Sequence, residues 1–201
     1  MPTLYILAGP NGAGKTTFYY KAIEEGFINP DLAFVNVDII ARNELGGYTE
    51  ENFVKAAEIA RQRMTIYLKK QEDFMIESNL AKDADYDWIE SIRKAGYGVI
   101  LYFLCTENTE VNIDRVERRV KEGGHYIPPH IITDRYKMGL IYLQSKLHLF
   151  KEAYLIDNTN ETVKEMAMLT DGKTEKEIKI LPEWVKKVLT LVKLLMLKGK
   201  S

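Results

Sequence analysis

Eight consecutive residues, Gly9-Pro10-Asn11-Gly12-Ala13-Gly14-Lys15-Thr16, have the spacing G-x-x-x-x-G-K-[ST], and the apolar run Leu4 to Ala8 leads directly into them. A short strand ending in such a loop and feeding a helix converges backbone N–H groups and a helix N-terminus on polyphosphate. In that arrangement the glycines take backbone geometries that a Cβ obstructs. Lys15 reaches the β- and γ-phosphates and the Thr16 hydroxyl ligates Mg2+, while Pro10, Asn11, Ala13 and Thr17 complete the nucleotide cradle.

Other side chains decide what is done with the phosphate. Asp38 follows the apolar stretch Ala33-Phe34-Val35-Asn36-Val37. At the carboxyl end of a parallel strand, where an open α/β sheet holds its ligand, a carboxylate orients a substrate hydroxyl and takes its proton during attack on phosphorus. The same position also suits a helix N-cap, because Ile39-Ile40-Ala41-Arg42 reads as the start of a helix. Glu77 ends the segment Asp73 to Glu77 and precedes Ser78-Asn79. It and Asn79 are placed for substrate hydrogen bonding, for outer-sphere contact with magnesium, or for a local turn.

A third cluster runs from Ile113 to Lys121. Ile113, Val116 and Val120 share one helical face and place Arg115, Arg118 and Arg119 on the other. Three guanidinium groups there neutralise a phosphoryl group in transfer, although a solvated charge run has the same pattern. Gly123-Gly124 and Pro128-Pro129 bracket a segment suited to act as a water-excluding lid within 107–135, and Arg135 returns one more positive charge. His125 is expected to contact phosphate or substrate, or to hold the lid by a hydrogen bond. His130 and His148 have no companions at metal-site spacing.

The elements that position these groups alternate. Short apolar strands at Leu4 to Ala8, Ala33 to Val37, Phe74 to Ile76, Val99 to Leu104 and Ala153 to Ile156 are separated by helical segments, which predicts an α/β fold with a parallel sheet flanked by helices. Helices are expected from Thr49 to Gln71, with Thr49 as cap, and from Ala84 to Ala95. Within 163–201, Val163 to Leu169 and Lys176 to Ile180 flank Asp171-Gly172 as a small hairpin. Pro182 then opens an amphipathic helix carrying Trp184, Val185, Val188, Leu189, Val192 and Met196, expected to pack on the core. Lysines at 186, 187, 193 and 198 exclude it as a membrane span.

At 201 residues, 46% hydrophobic and 28% charged, the chain reads as one globular P-loop domain over 1–201. Its 28 basic and 29 acidic residues disfavour extended nucleic-acid binding. The single cysteine, Cys105, excludes an intrachain disulfide and a cysteine-rich zinc site, and its apolar neighbours predict a packed strand end. The apolar N-terminal residues run straight into the phosphate loop rather than forming a secretory leader, which predicts a cytoplasmic protein with access to ATP. An ABC-type signature, Leu-Ser-Gly-Gly-Gln, and a guanine-reading Asn-Lys-x-Asp element are both missing. A kinase and a non-catalytic ATP-binding regulatory module are the readings left.

Taken together, Gly9 to Thr17, Asn36-Val37-Asp38, Glu77-Ser78-Asn79-Leu80 and Arg115 through His125 with Ile127-Pro128 resemble the zeta-toxin group of P-loop kinases, in particular its compact, predicted-ATPase-like branch. Arg135-Tyr136 and Asp157-Asn158 extend the match, so that it covers most of residues 3 to 160. The resemblance implies Mg-ATP-dependent phosphorylation of a hydroxyl on a small molecule, a UDP-amino sugar in the best-known relatives, by a toxin restrained by an antitoxin protein. It implies Lys15 and Thr16 for ATP and Mg2+, Asp38 as base, Glu77 on substrate, Arg115 and Arg119 on the transferring phosphate, and Asn158 on the adenine side. For the second arginine role Arg118, Arg119 and Arg135 are all candidates. This chain departs from the toxins in carrying Ser78-Asn79 where they commonly have Gly-Thr or Thr-Thr, and in lacking a long C-terminal extension. A nucleoside, antibiotic or polyol is the alternative class of acceptor.

Overall fold

The computed structural model describes residues 1–160 and 162–198, with backbone alone for Lys193 and 195–198. The side chains of Met196, Lys193 and Lys198 therefore lie outside the described residues. The apolar runs become β1 (Thr3–Ala8), β2 (Ala33–Val35), β3 (Phe74–Ser78), β4 (Gly98–Cys105) and β5 (Glu152–Asp157), followed by β6 (Lys164–Thr170) and β7 (Lys173–Glu177). They form one sheet in the order β2-β3-β1-β4-β5-β6-β7. The first five are mutually parallel, and β6 and β7 are added antiparallel at one edge.

Helices α1 (Lys15–Glu24), α2 (Val37–Asn43), α3 (Glu50–Lys70), α4 (Asp83–Lys94), α5 (Thr109–Lys121), α6 (Pro129–Lys146) and α7 (Glu183–Lys198) connect or cover the strands. Side chains of a strand alternate between faces, and here the alternation separates two cores. Leu4, Ile6 and Ala8 of β1 lie on the face covered by α2, α3, α4, α6 and α7. Leu7 faces the other way, with Met75 and Leu104, onto Tyr19 and Ala22 of α1. Helix α5 instead packs on α6 through Val116, Ile127 and Ile132, a small separate cluster that holds it over the end of the sheet.

Three local results differ from the sequence expectation. The strand predicted over Ala33 to Val37 ends at Val35, because the Asn36 side chain accepts the Ile39 N–H at 3.0 Å and starts α2 two residues early. Asn36, not Asp38, is therefore the cap, and Asp38 lies in the first helical turn. The second hairpin strand begins at Lys173 and ends at Glu177, rather than running from Lys176 to Ile180. Asp171 and Gly172, with φ of 48° and 74°, form a tight two-residue turn that fits the sheet twist and leaves no room for a longer loop. The other predicted elements occur, with Thr49 capping α3 through its hydroxyl on the Asn52 N–H at 3.1 Å.

The C-terminal helix docks as its pattern requires, burying Trp184, Val185, Val188, Leu189 and Val192. The Trp184 indole N–H donates to the buried Asp157 carboxylate at 3.1 Å, directly beneath the loop after β5. Trp184→Phe removes the fused five-membered ring with its N–H, which leaves this carboxylate one donor short and a small cavity beside it. It should cost about 1–3 kcal/mol, read as a lower urea midpoint with unchanged slope by far-ultraviolet circular dichroism.

Candidate active site

The parallel pairing of β1 between β3 and β4 places the loop 9–14 at the carboxyl end of the central strand. Gly9 turns the chain there with φ of 134°, so close to β4 that a Cβ would sit 1.9 Å from the Leu104 carbonyl oxygen. The register Leu7↔Glu77 and Ala8↔Ser78 sets the end of β3 beside the loop. One carboxylate consequently meets three groups. Glu77 Oε2 accepts the Thr16 hydroxyl at 3.1 Å and the Asn36 amide at 2.7 Å, and its Oε1 lies 3.6 Å from Lys15 Nζ.

Lys15 opens α1 and is 5% exposed. Its ammonium donates to the carbonyls of Gly9 at 2.8 Å and Pro10 at 3.2 Å, and to Asn79 Oδ1 at 3.4 Å. Burial pushes its pKa below the ordinary lysine value, and the carboxylates of Glu77 and Asp38 oppose that shift. Thr16 and Glu77 offer oxygen donors of the kind a hard cation takes, completing its shell from phosphate and water. Among the described residues no three His, Cys, Asp or Glu side chains cluster as a metal site.

Above this floor lies a cleft of about 610 Å³. Gly12, Gly14, Lys15, Thr16 and Thr17 form its base, Asp38, Arg42 and Tyr48 one wall, and Arg115, Arg118 and Arg119 the other, with Asn158 at the margin. Asp38 and the three arginines are thereby brought to one space. They are not equivalent. Arg115 donates to the carbonyls of Asn158 at 2.8 Å and Thr159 at 3.2 Å, and Arg119 to that of His125 at 3.0 Å. Arg118 is exposed and turns back on the Asp114 carbonyl at 3.4 Å. The Arg119 Nε is buried and has no protein partner among the described residues.

His125 belongs to an adjoining hollow of about 500 Å³ that shares Arg42 and Tyr48 with the cleft. Its ring meets Phe53 edge-on at 4.3 Å and Tyr48 at 5.7 Å between centroids, joining the α5–α6 segment to the start of α3. Arg135 reaches the loop itself, donating to Asn11 Oδ1 at 2.8 Å. Asn79 stands below Lys15 rather than along the cleft, and Ser78 caps the Leu80 N–H at 3.1 Å. Cys105 is buried at the end of β4, and burial pushes its thiol up to about 12. His130 and His148 are exposed.

Sequence reasoning gave no role to Asn36, Arg42, Tyr48 or Asn112. Asn36 was detectable as a cap three residues before Ile39. Asn112 stands one helical turn before Arg115, a spacing that puts both on one face of α5. Arg42 and Tyr48 enter the cleft only through the turn between α2 and α3, which no periodicity signals.

The family model for the zeta toxin matches residues 1–166. The chain belongs to the zeta toxin family. An uncharacterized protein of Haemophilus influenzae is 26% identical over 133 residues, 64% of this chain and 88% of that one. Among solved structures, a chain of the AvrRxo1-ORF1:-ORF2 complex with ATP superposes with a TM-score of 0.68 at 15% identity, over 96% of this zeta-family chain and 64% of its own. A chain from the PezAT chromosomal toxin-antitoxin system of Streptococcus pneumoniae gives 0.57 at 16% identity, covering 98% and 87%. These likenesses show a common P-loop kinase-type α/β fold. This chain spans about two thirds of the AvrRxo1 complex chain.

Burial also lowers the pKa of His125 from the ordinary histidine value. The unfolded chain then takes up the proton first, so this residue makes stability fall as pH drops through about 6.5, until the folded-state pKa is passed. A nuclear magnetic resonance titration should place the His125 midpoint below about 6.5, and His125→Asn should flatten that part of the stability profile.

Proposed function

We propose that this zeta-family chain is a single-domain, Mg-ATP-dependent kinase over residues 1–201 that transfers the γ-phosphate to a hydroxyl of a small molecule, with 107–135 as its lid. The observation that supports this reading best is the common cleft, in which the phosphate loop, Asp38 and the lid arginines face one another. Gly9 to Thr17 hold the triphosphate, with the Lys15 ammonium drawn to its β- and γ-oxygens and released from the loop carbonyls. Thr16 and Glu77 would hold Mg2+, which would supply charge neutralisation on the phosphate oxygens.

Asp38 orients the acceptor hydroxyl and takes its proton as the new O–P bond forms and the bond to ADP breaks. Arg119, whose buried Nε has no protein partner among the described residues, and Arg118 carry compensating charge toward the transferring group. His125, Arg42, Arg135, Glu77 and Asn79 shape the acceptor side and the floor. Closure of the loop that follows α5 over the cleft excludes water, the competing acceptor.

For the acceptor the leading candidate is a UDP-amino sugar, on the strength of family membership; a nucleoside, antibiotic or polyol is the alternative. An antitoxin protein is the corresponding partner, as the PezAT and AvrRxo1 complexes are two-component assemblies in their own right. We place the protein in the cytoplasm, where ATP is available, with no helix among the described residues long and apolar enough to cross a membrane.

Purified protein should consume ATP and mark a member of an acceptor panel headed by UDP-N-acetylglucosamine, read by mass spectrometry. Asp38→Asn should retain ATP binding and lose about 10²- to 10⁴-fold in transfer. Equal transfer by both proteins would remove Asp38 as base. ATP binding without transfer to any member, and biological activity unaffected by the substitution, would favour a non-catalytic regulatory module.

A further inference from the structure

The amides of a phosphate loop bind only if they point into the cleft, and something must hold them there before the anion arrives. Two asparagine side chains grip the back of this loop. Asn112 Nδ2 donates to the carbonyl of Asn11 at 2.6 Å, and Asn158 Nδ2 donates to the carbonyl of Ala13 at 2.7 Å. In a planar trans peptide the carbonyl and the following N–H point in opposite directions. Holding the Asn11 carbonyl outward therefore turns the Gly12 N–H inward, and holding the Ala13 carbonyl does the same for Gly14. Both glycines line the cleft.

Each brace is itself fixed. Asn112 is fully buried, and the Thr106 hydroxyl donates to its Oδ1, which leaves Nδ2 as the group facing the loop. Thr106 is fully buried too, and its carbonyl accepts the Tyr136 hydroxyl at 2.8 Å. Gly12 lies so close to α5 that a Cβ would fall 2.4 Å from the Asn112 carbonyl oxygen. The backbone of Asn158 is gripped by Arg115 at 2.8 Å, one turn along α5 from Asn112. A single helix face thus holds both braces.

We propose that Asn112 and Asn158 are positioning residues that preorganise the Gly12 and Gly14 amides for polyphosphate, and that Arg115 acts through Asn158 rather than on the transferring phosphate. This rests on the reading of the loop as a polyphosphate site. It reassigns two residues that family resemblance places elsewhere. Asn158 serves the phosphates through the loop, since one N–H of its side-chain amide is held by the Ala13 carbonyl. The lid arginines that touch the reacting group are then Arg118 and Arg119.

The test uses Asn112→Leu and Asn158→Leu, which keep the branched shape and remove the donor without adding charge. Binding of Mg-ATP and of inorganic tripolyphosphate is measured by calorimetry, with the Gly12 and Gly14 amide resonances followed on adding tripolyphosphate. Each variant should bind both ligands roughly five- to fiftyfold more weakly. The downfield shift of the Gly12 amide should be lost in Asn112→Leu, and that of the Gly14 amide in Asn158→Leu. Arg115→Gln should weaken tripolyphosphate in the same way as Asn158→Leu.

If Asn158→Leu weakens ATP alone and leaves tripolyphosphate untouched, the adenine-side role stands and the brace is overturned. Unchanged binding of both ligands by both variants overturns it equally. Because Asn158 is partly exposed at a strand end, its variant reads the proposal even where Asn112→Leu disturbs folding. Failure of the unaltered protein to bind tripolyphosphate or ATP would instead remove the polyphosphate site itself.

Discussion

A buried ammonium group is the constraint on which the site depends. Lys15 is 5% exposed, and an isolated charge at such a position costs several kcal/mol in lost hydration. Two loop carbonyls, Asn79 and the Glu77 carboxylate offset that cost. This set exists only because β1 and β3 run parallel in a register that brings Glu77 level with Leu7, so the sheet order is a requirement of the lysine as much as a consequence of hydrophobic pattern. Burial outweighs the nearby carboxylates and holds the Lys15 pKa below the ordinary lysine value. An incoming polyanion would give the ammonium a charged partner in place of neutral carbonyls.

From that floor rise two walls built differently. The Asp38 wall is a short helix started by Asn36, whose amide also donates to Glu77 at 2.7 Å, so this wall and the loop floor share one carboxylate. The arginine wall is α5, which has its own small core with α6 and touches the first wall through His125 on Phe53 and Tyr48. The arginine wall is also tied to the phosphate loop and to the end of β5, through Asn112 on Asn11 and Arg115 on Asn158, so it is anchored at its base and meets the other wall through aromatic rings at its tip.

Most of this was legible in the sequence, for specific reasons. The loop motif, the apolar strands, the Thr49 cap and the buried face of α7 each depend on local spacing, and each appears close to its expected place. The strand before Asp38 is shorter than its apolar run suggests, because Val37 continues that run while the cap that ends the strand is a single hydrogen bond from the Ile39 N–H to Asn36. Within the site, strand-end logic pointed to Asp38 and helical spacing pointed to the arginine face of α5. The different tasks of Arg115, Arg118 and Arg119 were not legible, because they are set by carbonyls more than forty residues away at Asn158 and Thr159, or by the turn at His125. Long-range pairing of that kind leaves no periodic trace.

The most direct measurement is calorimetric titration of Mg-ATP into the protein and into Lys15→Met, with thermal unfolding of both in the absence of nucleotide. Replacing a buried charge by an apolar chain of similar length is often tolerated by a fold. The account predicts stoichiometric binding by the unaltered protein, and a folded Lys15→Met variant whose affinity falls by about a hundredfold or more, the loss of a buried charge-assisted contact. A folded variant that binds Mg-ATP as tightly as the parent would contradict it, because the buried ammonium would then be structural and the cleft would owe its ligand to something else.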